Sequence, residues 1–192
     1  MLTSNSPPSP HGSYDAEILA QLKRVRDHCG DMPPRVLVVD HSLREGHAAV
    51  TPLSAAGFDV TASRTFESAK SLLASGDYRL LITALRLGSY NGIHLVVRAR
   101  ARTPDIAAIV TALSDDLVLR TDAERLGATY VVLPVPLREL LAAIVRTCLR
   151  GPRPDVPLRP PFERRLVDRR RGSVAAAAER RGTERRAPPL IE

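Results

Sequence analysis

Between residues 35 and 150 the apolar positions alternate between two patterns. Short apolar-rich runs occur at Val36-Leu37-Val38-Val39, over 58–62, at Leu80-Leu81-Ile82, over 106–110 and at Tyr130-Val131-Val132. Runs of this length predict strands buried on both faces rather than on one. The segments between them place apolar residues three and four positions apart, which predicts helices over 43–56, 66–74, 93–101, 115–126 and 136–150. In the last of these, Leu137, Leu140, Leu141, Ile144, Val145 and Cys148 form the apolar face. Gly57 and Gly127 stand where helices should end, and Pro104 should stop the third. Pro52 inside the first is expected to kink or shorten it. A further helical segment, 13–29, carries Ile18, Leu22 and Val25 on one face and Gly30 behind it. It is expected to pack on the domain, to fray, or to offer a thin dimer seam.

Five strands alternating with five helices predict an α/β fold, a doubly wound parallel sheet covered on both faces. The flavodoxin-like strand order 2-1-3-4-5 is the common solution at this size. Its switch point lies between the first and third strands, where Asp40, His41 and Ala84 should share one shallow pocket. The organisation expected is an N-terminal extension with a short helix (1–33), the α/β domain (34–150) and a Pro/Arg-rich tail (151–192). Residues 1–12, rich in Ser and Pro, are expected to be disordered.

Composition sharpens this picture in three places. With 4% aromatic residues and no Trp, the core must be built from Val, Leu, Ile and Ala. Of the net charge of +7, the tail carries +5, from eleven Arg against six acids, so the domain is nearly neutral. Cys29 and Cys148 are the only cysteines, without a CxxC pair or a His cluster at ligand spacing. That argues against a disulfide framework or zinc site and fits a reducing cytosol. There is no apolar run of the roughly 18 residues a membrane span needs, and no signal-peptide pattern, so a cytoplasmic protein is expected.

Several features in register resemble the receiver domain of bacterial two-component response regulators. They are Val36-Leu37-Val38-Val39-Asp40, Leu85-Arg86-Leu87-Gly88 with Asn91-Gly92, Thr111-Ala112, and Tyr130-Val131-Val132-Leu133-Pro134. The resemblance covers about residues 34–150. It implies a site in which an aspartate ending the third strand accepts a phosphoryl group. Two acids after the first strand help hold Mg²⁺, a Thr or Ser reads the phosphate, and a Lys before a Pro pairs with it. A hard cation wants oxygen ligands, and developing phosphoryl charge wants cations and donors around it.

Carried over residue by residue, the resemblance implies a degenerate pocket. Asp40 matches the first acid, but His41 stands at the second, and imidazole is a poor Mg²⁺ ligand. Ala84 stands at the phosphoacceptor position and Leu133 at the Lys, with Pro134 retained. Thr111 matches the switch hydroxyl and Tyr130 the aromatic switch position. The Mg²⁺ site is thus incomplete, and no cofactor or metal is expected. Leu133 makes sense beside Ala84, because a lysine left without its carboxylate would be a costly unpaired charge. His41 as a phosphoacceptor, or Asp40 with Asp115 and Asp116 as a weak cation site, are less economical readings; Asp115 and Asp116 suit a helix cap.

The expected function is that of a receiver-like protein in phosphorelay signalling, not an enzyme, acting through protein partners without being phosphorylated. A histidine kinase, another regulator or a second copy would dock on the face formed by helix 115–126, the fifth strand and helix 136–150, which displays Leu119, Arg120, Glu124, Arg138 and Arg146. The alternative lies in the tail. Its units Glu163-Arg164-Arg165, Asp168-Arg169-Arg170, Glu179-Arg180-Arg181 and Glu184-Arg185-Arg186 could bind nucleic acid or another anionic partner through charge. Interleaved acids and missing aromatics make such binding weak.

Overall fold

The computed structural model describes residues 10–41 and 47–150 of the 192-residue chain. The first helix, α1 (Pro10–Asp27), leads through a short link into β1 (Arg35–Val39). A single 3-10 turn, His47–Ala49, opens into α2 (Val50–Ala55), followed by β2 (Asp59–Ser63), α3 (Phe66–Ser75) and β3 (Leu80–Ala84). Two short strands, β4 (Arg86–Leu87) and β5 (Tyr90–Asn91), precede α4 (Ile93–Arg102). The chain continues through β6 (Ala107–Ala112), α5 (Leu117–Arg125), β7 (Thr129–Val132) and α6 (Leu137–Leu149). Of the residues expected to be disordered, 1–9 and the tail lie outside the described residues, as does the first part of the helix expected from residue 43; 10–12, expected to be disordered with them, are instead the first residues of α1, which begins three residues earlier than the expected 13.

The long strands form one parallel sheet in the order β2-β1-β3-β6-β7, which is the expected 2-1-3-4-5 order of a flavodoxin-like fold. The reason is visible in how the central strands divide their side chains. Val36, Val38, Leu80, Ile82 and Ile109 pack into one hydrophobic cluster, and Leu37, Val39, Leu81, Ala108 and Val110 into the other. A strand whose alternate residues are all apolar can be satisfied only with helices on both sides.

The α-helix expected over 43–56 is short, Val50–Ala55, one of the two outcomes expected of Pro52; the proline stands third in it, where a backbone N–H has no intrahelical acceptor to lose. Two departures from the sequence expectations have local causes. The loop after β3 is a small antiparallel hairpin, with Arg86 opposite Asn91 and Leu87 opposite Tyr90. Gly88 supplies the positive φ, +63°, that its two-residue turn requires. Asp116 alone caps α5, accepting from the backbone N–H groups of Val118 (3.0 Å) and Leu119 (3.1 Å), while Asp115 pairs instead with Arg120 at 2.9 Å.

The N-terminal helix is part of the core. Leu22 is fully buried and Val25 nearly so, in the same cluster as Leu140, Leu141, Ile144 and Val145 of α6. This places α1 over α6 rather than leaving its apolar stripe open. Among the described residues no helix is long and apolar enough to cross a membrane. Leu22→Ala should therefore lower the unfolding free energy by about 2–4 kcal/mol in urea titration, the usual cost of emptying a buried leucine site. A change near zero would mean that α1 contributes nothing to the folded core.

Candidate functional site

The carboxyl ends of β1, β3, β6 and β7 come together at one edge of the sheet. Asp40 follows β1 and stays buried, its backbone N–H donating to the Ser63 carbonyl at 3.0 Å and so extending the ladder with β2 by one rung. His41, the next residue, is exposed. Ala84 is the last residue of β3 and pairs in register with Thr111, whose side chain is buried. The Leu85 N–H donates to the Thr111 carbonyl at 2.7 Å, holding the chain on the sheet for one further residue. The Leu133 N–H donates to the Ala112 carbonyl at 2.7 Å, which seats Leu133 against the same edge, buried. The Leu133–Pro134 peptide bond is cis, and Pro134 points to solvent.

These residues enclose a pocket of about 320 Å³. Asp40, His41 and Ala84 line it, as expected from the strand order, and so do Thr111 and Leu133, which the resemblance points to, together with Leu85, Arg86, Gly88, Ala112, Leu113 and Ser114. Arg86 and Gly88 reach the rim because the hairpin folds back over it. The sequence offered no signal for that, since two-residue strands have no periodicity. Asp115 and Asp116 are not among the lining residues, so they do not join Asp40 in a cation site.

The hairpin is fastened at Gly92. Its N–H donates to the Leu85 carbonyl at 2.8 Å, and the Asn91 side chain accepts from the Ile93 N–H at 2.8 Å as α4 begins. The backbone of Gly92 has ordinary helical angles, so conformational freedom is not what selects glycine here. Space is. A Cβ at this position would run into the Ala84 carbonyl oxygen and lie 2.8 Å from Thr83 Oγ1.

Tyr130 does not line the pocket. It packs on the α5 side of the sheet, with the Arg120 guanidinium 5.4 Å from its ring centre and its hydroxyl donating to the Ser114 carbonyl at 3.2 Å. Burial, above all, raises its phenol above the ordinary value; the carboxylates of Asp116 and Asp115 push the same way, while Arg120 and a backbone hydrogen bond at Asp116 pull it back. Tyr130 thus reaches the rim only through a backbone carbonyl.

Chemically the pocket is sparse. Asp40 is the one carboxylate among its described lining residues, and those residues hold no cluster of three or more His, Cys, Asp or Glu side chains. A methyl group occupies the end of β3, and an isobutyl group the end of β7. Mg²⁺ keeps near-octahedral oxygen coordination, so these residues do not fit it.

No protein-family model matches the chain, and no curated protein matches it. Solved structures do. A response regulator receiver protein from Pseudomonas putida is 28% identical, covering 61% of this chain and 99% of its own, with a TM-score of 0.54. A CheY-like receiver domain protein from Methanospirillum hungatei JF-1 is 21% identical over 62% of this chain and 96% of its own, at a TM-score of 0.57. The CheX-CheY-BeF3-Mg²⁺ complex from Borrelia burgdorferi matches at 17% identity over 65% and 96%, also at 0.57. The fold is the response-regulator receiver fold, and its strand-end edge is the one described above.

Gly92→Ala should cost at least about 1–3 kcal/mol of stability, because the obstructing atom is backbone and cannot rotate away. Thermal melting checks this; an unchanged melting temperature would mean that the hairpin is not held against β3.

Proposed function

We propose that this chain is a receiver-like component of two-component signalling whose pocket accepts no phosphoryl group and which acts by binding protein partners. The observation that carries the reading is Ala84 at the end of β3, paired in register with Thr111. A phosphoryl acceptor needs a nucleophilic atom, and a methyl group has none. Two further replacements fit. His41 leaves Asp40 without a second carboxylate, and Leu133 removes the cation that would otherwise be buried without a partner.

The surface supports a binding role. Leu113, Leu117 and Val118 are 79%, 76% and 70% exposed on the β6–α5 connection and the first turn of α5, a concentration of apolar area beside the pocket mouth. Exposed apolar clusters of this kind mark docking sites more often than scattered single residues do. They extend the partner face expected from Leu119, Arg120, Glu124, Arg138 and Arg146. A histidine kinase, another regulator or a second copy of the chain are the partners this face suits.

The deciding experiment is intact-mass analysis after incubation with acetyl phosphate and Mg²⁺, beside an ordinary receiver as control. This protein should gain no phosphoryl mass. Ala84→Asp alone should also remain unmodified, because the second acid and the lysine are still missing. A phosphorylated wild-type protein, with Asp40 the nearest carboxylate, would overturn the reading; a readily phosphorylated Ala84→Asp variant would overturn the account of the pocket. Deleting residues 151–192 separates this reading from one in which the Arg-rich tail binds an anionic partner: partner binding should survive the deletion.

A further inference from the structure

The two cysteines stand at the ends of the two helices that pack on each other. Cys29 lies two residues beyond α1, and its thiol donates to the Val25 carbonyl at 3.4 Å, which sets its side chain against the last turn of the helix. Cys148 is in the last turn of α6 and packs against the cluster that holds Leu22 and Val25. Both are half-buried and free.

The topology puts them at the same edge of the sheet. Helix α6 starts from the carboxyl end of β7 and runs back, so Cys148 ends at the amino edge, beside Ile106, Ala107 and Ala128. Helix α1 ends at that same edge, because β1 begins only a short link later, at Arg35. The side chain of Arg26 lies against Gly57, just before β2, which fixes the end of α1 there independently. Burial, above all, pushes the Cys148 thiol up to about 12, and Cys29 adds to the rise.

We propose that Cys29 and Cys148 form a reversible intramolecular disulfide, made by a peroxide-class oxidant, that ties the end of α1 to the end of α6. The Cys29 thiolate attacks one peroxide oxygen; the S–O bond forms, the O–O bond breaks, and the departing hydroxide takes a proton to become water. The Cys148 sulfur then attacks Cys29 Sγ, forming the S–S bond. The S–O bond breaks, and hydroxide leaves with the Cys148 proton as the second water. Two thiols lose two electrons in all, and one peroxide becomes two waters. Cys29 acts first because Cys148, holding its proton, is the poorer nucleophile.

The test is hydrogen peroxide treatment of the full folded chain, alkylation of remaining thiols, and peptide mapping without reductant. The expected product is a Cys29–Cys148 linked peptide, two hydrogens lighter than its parts, that dithiothreitol separates. In Cys148→Ala the reaction should stop at a Cys29 sulfenic acid that dimedone traps, and Cys29→Ser should give no early product. Amide exchange in α1 should slow several-fold in the oxidised wild-type protein. A disulfide between two chains, over-oxidised Cys29 without a cross-link in the wild-type protein, or unaltered exchange in α1 would each overturn the proposal.

Discussion

The sheet's central strands are covered on both faces, and this constraint decides where everything else goes. Burial from two sides leaves β1, β3 and β6 no room for a polar side chain along their length, apart from Arg35 at the start of β1 and Thr83 and Thr111 near the ends of β3 and β6. Chemistry is pushed to the strand termini, where backbone amides and carbonyls become available and the covering helices pull away. The same constraint explains why alanine and leucine at two such termini change so much.

The hairpin of β4 and β5 shows how closely that edge is engineered by local sterics. Gly92 sits so near the Ala84 carbonyl that the main chain of β3 and the entrance to α4 are in contact. Tyr90, on the far arm of the hairpin, stacks on Phe66 with ring centres 4.5 Å apart, which joins the hairpin to the start of α3. A change at residue 84 is therefore felt by two helices at once.

The sheet was legible in the sequence because continuous runs such as Val36-Leu37-Val38-Val39 have one explanation in a chain of this length. The convergence of Asp40, His41 and Ala84 followed from strand order, since each stands at a strand end, while Thr111 and Leu133 were pointed to by the resemblance. Arg86 and Gly88 were not legible as pocket residues, because a two-residue strand carries no period from which its direction can be read. Tyr130, which the resemblance gave as the aromatic switch position, lies near the start of β7, packed with the residues of α5. Leu113, Leu117 and Val118 were hidden for another reason: apolar residues at helical spacing read as core, and only the packing reveals that these face water. The helix at 13–29 was legible as a helix, while its place in the core depended on α6 presenting a matching face.

Ala84 also bears on how information passes through such a molecule. A two-state equilibrium moves only when something binds one state better than the other. A methyl group at the end of β3 offers a phosphoryl donor no nucleophile, so on the proposed reading the balance of conformations is set by what acts elsewhere on the chain. The place to look for the control of such a component is the contacts that favour one state over the other.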